Sequence, residues 1–76
     1  MVYQKPLRLD DLAPDGVKIV VDWDAMVANA SVFIPCVNNV KAEKQLLDIA
    51  QRKNWDVEIR VRIENGMLGV RMWRTV

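Results

Sequence analysis

The stretch V-E-I-R-V-R-I-E-N-G-M-L-G-V-R-M-W-R, Val57 to Arg74, decides the fold of this chain. Two alternating runs flank Asn65-Gly66, the strongest short-range signal for a tight β-hairpin. A two-residue turn there sets Glu64 opposite Met67, Ile63 opposite Leu68, Val61 opposite Val70 and Arg60 opposite Arg71. One face is then wholly apolar: Val57, Ile59, Val61, Ile63, Leu68, Val70 and Met72. The other carries Arg60, Arg62, Arg71 and Trp73, with Glu58 and Glu64 at its ends. Arginines directly opposite one another repel, so something must offset them. An anionic partner is one candidate.

Upstream, Asn38 and Asn39 are N-cap candidates for a helix running to about Lys53. Its apolar stripe is Ala42, Leu46, Ile49 and Ala50, with Leu47 beside them. Asn54 suits the left-handed position that ends a helix, and Trp55 can pack back on the last turn. Ser31 to Pro35 reads as a short strand that stops at its proline or lies at an edge. Val17 to about Asp24 alternates too and reads as a first strand, with Val17, Ile19, Val21 and Trp23 inward and Lys18, Val20, Asp22 and Asp24 outward. Residues 1–16, with Pro6, Pro14 and Asp15-Gly16, read as an irregular arm ending in a turn. The expectation is an α+β domain over residues 17–76, ββαββ in order, with a four-stranded, mainly antiparallel sheet and one helix on one face.

A chain of 76 residues supports one domain, and oligomerisation is a common remedy for so small a core. The net charge is +1, unevenly spread: −2 over Met1–Val40 and +3 over Lys41–Val76. No apolar run spans a bilayer and no secretory signal is visible. The helix mixes acids and bases on its polar face, so no membrane partner is expected. The single cysteine, Cys36, fits a reducing cytoplasm.

The uncovered sheet face carries the functional expectation. Guanidinium groups fork onto phosphate and aromatic rings stack on bases. Arg60, Arg62, Arg71 and Lys18 would hold a nucleic-acid backbone, and Trp73 and Phe33 would stack. Gly69, opposite Arg62, would leave room for close approach. The same residues also read as an ordinary solvated face, with Arg60 and Arg71 lying along Trp73 and Glu58 and Glu64 supplying counter-charge. Val20, Phe33, Met67 and Trp73 suit a homodimer or protein interface, through the open sheet or an edge strand. Catalysis is not expected: the chain has no histidine, and Cys36 reads as a packing residue. Asp22 and Asp24 lack a third metal ligand, so neither metal nor cofactor is expected.

Ser31-Val-Phe-Ile-Pro35 and Gly69-Val-Arg-Met-Trp-Arg74 resemble elements of a group of small tailed-phage proteins. These share a serine–hydrophobic–Phe–hydrophobic–Pro element, a basic-flanked helix and a final "GVRVWR"-like strand. The resemblance covers roughly Asp24 to Arg74. It implies a phage or prophage origin and an infected bacterial cytoplasm, and carries over no site residues. On these grounds the leading expectation is a nucleic-acid-binding accessory protein. The alternatives are a module that binds or inhibits a host enzyme, and a structural homodimer.

Overall fold

A computed structural model describes residues 11–76. The hairpin forms in the expected register. Strand β2, Val57–Glu64, pairs antiparallel with β3, Met67–Arg74, and Arg60 sits opposite Arg71. Asn65 and Gly66 both take positive φ, 52° and 76°, as a type I′ turn requires. Strand β1, Ser31–Pro35, pairs antiparallel with β3 on its other side, so the order is β1-β3-β2.

Helix α1, Asn39–Lys53, starts at the Asn38 cap, whose side chain accepts from the Lys41 N–H at 3.1 Å. It ends at Asn54, φ 57° and ψ 39°. There the Asn54 N–H reaches the Gln51 carbonyl and the Trp55 N–H reaches the Ala50 carbonyl, the paired bonds of a Schellman motif. Ala42, Leu46, Ile49 and Ala50 are buried as the stripe requires, the first three in one cluster with Ile34, Val70 and Met72, whereas Leu47 beside them is exposed.

The expected strand over Val17–Asp24 is not formed. Ile19 exchanges two backbone hydrogen bonds with Leu12, at 2.7 and 3.1 Å, in an isolated bridge, and Trp23–Ala25 coils into a 3-10 turn. The sheet among the described residues therefore has three strands. Ile19 and Val21 are half-buried and Trp23 is buried, so most of the alternation survives as side-chain burial without a ladder; Val17 is exposed. Alternation reports which side chains face a core, and a chain can satisfy it by packing alone. Lys18, Val20 and Asp22 consequently do not stand on the sheet face where they were expected. The part of the N-terminal arm that is described, residues 11–16, is docked. Leu12 is fully buried, and the Asp15 carboxylate accepts the N–H groups of Val37 and Asn38, both at 2.8 Å. Residues 1–10 of the expected arm lie outside the described residues.

Connectivity explains what the helix leaves bare. The chain enters α1 from β1, at one edge of the sheet, and leaves it into β2, at the other. The helix thus crosses the sheet diagonally. One corner is filled by Leu12, Trp23 and Met26. The opposite corner is the turn end of the hairpin, and there the apolar face stays open: Val61 is 53% exposed, Ile63 72% and Leu68 40%.

Candidate nucleic-acid interface

The sheet face opposite the helix is built by the even-numbered positions of β2 and the odd-numbered positions of β3. Register alone sets three rows across it: Ser31–Trp73–Glu58, Phe33–Arg71–Arg60 and Pro35–Gly69–Arg62. Phe33, Arg60, Arg62, Arg71 and Trp73 are thereby brought onto one surface. Lys18 is elsewhere, in an ion pair with Asp11 at 3.3 Å.

The repulsion between Arg60 and Arg71 is offset within the chain. Glu58 takes two bonds from the Arg60 guanidinium, at 2.8 and 2.6 Å. Glu64 takes a bidentate pair from Arg71, at 2.6 Å each, and lies 3.6 Å from Arg62. Arg71 spends its remaining reach on Ser31 Oγ at 2.7 Å, and its guanidinium lies 5.6 Å from the centroid of the Phe33 ring. Arg71 is thus fully engaged and only 23% exposed. The cation over Trp73 is Arg62, at 5.6 Å, rather than Arg60 or Arg71.

Arg60 and Arg62 remain accessible, with side chains 68% and 50% exposed. They border a shallow groove of about 350 Å³ whose other walls are Glu58, Trp73, Arg74, Thr75 and Asn29. Arg74 is the charged contributor that the sequence pattern does not point to, alongside Asn29 and Thr75. By register its position belongs to the helix side, and its guanidinium stacks on Trp55 at 4.3 Å and donates to the carbonyls of Met26 and Val76. It joins the groove because β3 ends there, which alternation does not reveal.

Gly69 has a different role from the one expected. A Cβ on it would run into the Ile34 carbonyl and come within 2.6 Å of the Phe33 ring and 2.9 Å of Pro35 Cα. The space above Gly69 is filled by β1 and Phe33, so it serves strand packing and is not open to a ligand.

Burial pushes the Cys36 thiol pKa up, with the Asp15 charge adding to it, which disfavours a nucleophilic thiolate. Among the described residues no group of three metal-ligating side chains occurs. None of their helices is long and apolar enough to cross a membrane.

The carboxylates predict an acid response. Hydrogen bonds from Arg71 hold the Glu64 pKa below its usual 4.5, and backbone N–H groups of Asn38 and Val37 hold that of Asp15 below 3.8. Both groups bind protons more tightly unfolded, so their stabilisation is complete above those ordinary values and is lost as pH falls below them. Thermal melts from pH 6 downward are expected to show a falling Tm that is shallower in Glu64→Gln and Asp15→Asn; wild-type slopes in both variants would contradict the assignment.

No protein-family model, curated protein or solved structure matches this chain.

Proposed function

We propose that the open sheet face binds single-stranded nucleic acid with little sequence preference. The observation that carries this reading is the convergence of two exposed guanidiniums, Arg60 and Arg62, on one groove beside Trp73. Phosphates sit on Arg60 and Arg62, and a base stacks on the Trp73 ring from the groove side. Arg71 and Phe33 form a preassembled support behind them. Glu58 and Glu64 keep the net charge of the face low, which suits weak, rapidly exchanging binding. The resemblance to small tailed-phage proteins fits an accessory of this kind acting on nucleic acid in an infected bacterial cytoplasm.

Titration with a short oligothymidylate, followed by fluorescence anisotropy of a label on the DNA, tests the reading. Two phosphates neutralised on a single strand give a log–log salt slope of about −1.4, from roughly −0.7 per contact. Arg60→Ala/Arg62→Ala is expected to abolish the slope and most of the affinity. Trp73→Ala is expected to weaken binding by about 1–3 kcal/mol, the usual worth of one stacked base. Wild-type affinity in the arginine double variant overturns the reading. A protein captured from bacterial lysate that survives nuclease, and depends on Met67 and Trp73 instead, points to the host-enzyme alternative.

A further inference from the structure

We infer that β2 is a dimerisation edge, and that two copies of this chain join β2 to β2 antiparallel about a two-fold axis through Ile59. This reaches beyond the nucleic-acid reading and does not depend on it.

The backbone directions come first. The residues flanking a two-residue turn form a hydrogen-bonded pair, and bonded pairs alternate from there. Glu64, Arg62, Arg60 and Glu58 therefore spend their N–H and C=O groups on β3. The far side of β3 agrees: Leu68 and Arg74 direct their backbone groups to the β1 side, at Cys36, Asn29 and Ala30. Val57, Ile59, Val61 and Ile63 are left pointing outward, and among the described residues no strand lies beyond them. The two edges of the sheet are unlike. β1 is five residues long and ends at Pro35, whereas β2 runs eight residues without a proline or glycine. A long edge of this kind is a template for a second strand.

Charge then selects the register. Centred on Ile59, the pairing sets Glu58 opposite Arg60 of the second copy, Arg60 opposite its Glu58, and Asp56 and Arg62 opposite each other in both directions. Asp56 and Glu58 each meet an arginine, and Glu64 falls opposite Asn54. Centred on Arg60 or Arg62, the strand faces its own arginine; centred on Glu58, its own glutamate. Centred on Val61, it sets Glu58 against Glu64 and Arg60 against Arg62. Like charges directly opposite are destabilising, so these registers are disfavoured. Centred on Ile63, Arg62 would face Glu64 in both directions, but only positions 62–64 of the two strands would overlap, so extent of pairing decides against it.

The Ile59 register also puts the outward backbone groups of Val57, Ile59 and Val61 in bonding positions, about six hydrogen bonds in all. On the helix side it aligns Val61 with Val57 of the second copy, and Ile63 with its Trp55. That is the corner α1 leaves bare, so the apolar surface and the edge are covered by one partner. The result is a six-stranded sheet, β1-β3-β2-β2-β3-β1, with both helices on one side and a continuous arginine-bearing face on the other.

Sedimentation equilibrium across a concentration series, without nucleic acid, is expected to show a monomer–dimer equilibrium. Glu58→Arg and Arg60→Glu each set like charges opposite one another twice per dimer, and each is expected to weaken self-association roughly tenfold or more. Mixing the two variants restores every pair, so a heterodimer is expected to form with about wild-type affinity. Glu58→Arg/Arg60→Glu within one chain is expected to restore the homodimer. Circular dichroism confirms that each variant is folded. A wild-type chain that stays monomeric overturns the proposal, as do single reversals that leave the dimer unchanged or a mixture that fails to associate. Oligothymidylate binding by anisotropy is scored separately, so either reading can fail alone.

Discussion

Gly69→Ala is expected to cost more stability than any other single-methyl addition in the sheet. Glycine at the centre of a strand ordinarily weakens it, so Ala should help on propensity alone. Here β1 closes over the position. The added Cβ meets two backbone atoms of β1, the Ile34 carbonyl and Pro35 Cα, and the tip of the Phe33 ring. A ring can rotate away; paired backbone cannot, without lengthening the ladder at Ile34–Val70 and Pro35–Gly69. Both Ile34 and Val70 are core residues, so a shift there opens the helix interface as well. Overpacking of this kind costs about 1–3 kcal/mol, and more when backbone must move. A domain of this size holds only about 5 kcal/mol in total. Urea denaturation should therefore show a midpoint reduced by half or more, and a wild-type midpoint would mean that β1 does not close over Gly69. Phe33→Leu in the Gly69→Ala background should recover only part of the loss, because the backbone contacts persist.

The two elements read most accurately from sequence are those whose signals are local. Asn65-Gly66 sets a turn type, the turn type sets the register, and period-two patterning sets the faces, so the hairpin follows in every pairing. The helix likewise carries its own ends in Asn38 and Asn54. Val17–Asp24 offered the same alternation but no turn to tie it to a neighbour. Whether it joins a ladder depends on which groups lie across from it, and Leu12 outcompeted the sheet for Ile19. The exposed corner at Val61 and Ile63 was equally hidden, since it follows from the diagonal path of α1 and not from any residue in β2.

The site was legible as a set of residues and illegible as a charge balance. Register placed Arg60, Arg62, Arg71, Trp73 and Phe33 on one face, as the alternation requires. Which arginine stays exposed could not be read in the same way. Glu58 and Glu64 share that face with all three, and only side-chain geometry shows Glu64 committing to Arg71 and reaching weakly to Arg62. The consequence reverses the initial weighting. Arg71, central in the sequence pattern, is structural, while Arg60 and Arg62, nearer the β2 edge, keep their guanidiniums exposed. A site at that edge is also the part of the face that pairing of two copies would change most.

Leu12→Ala is expected to destabilise the domain by about 2–5 kcal/mol, as for a core leucine, although Leu12 belongs to a segment whose sequence reads as an irregular arm. Its side chain is fully buried, and its backbone exchanges both hydrogen bonds with Ile19. It shares one buried cluster with Trp23 and Met26 and with Ala42, Leu46 and Ile49 of α1, so its loss leaves a cavity in that common core. The same segment reaches α1 twice more, through the Ala13 N–H on Gln45 Oε1 at 3.0 Å and through Asp15 just ahead of the helix cap. Weakening Leu12 should therefore loosen the first turn of α1 as well. Hydrogen exchange in the variant is expected to speed at Ile19 and at Asn38, whose N–H is held by Asp15, before it speeds in the hairpin. Val17→Ala is the matched control: Val17 is exposed on the same segment, and its truncation should change stability by no more than about 0.5 kcal/mol. Equal effects of the two substitutions would show that the segment does not complete the core, and the three-stranded sheet would then have to hold its helix without it.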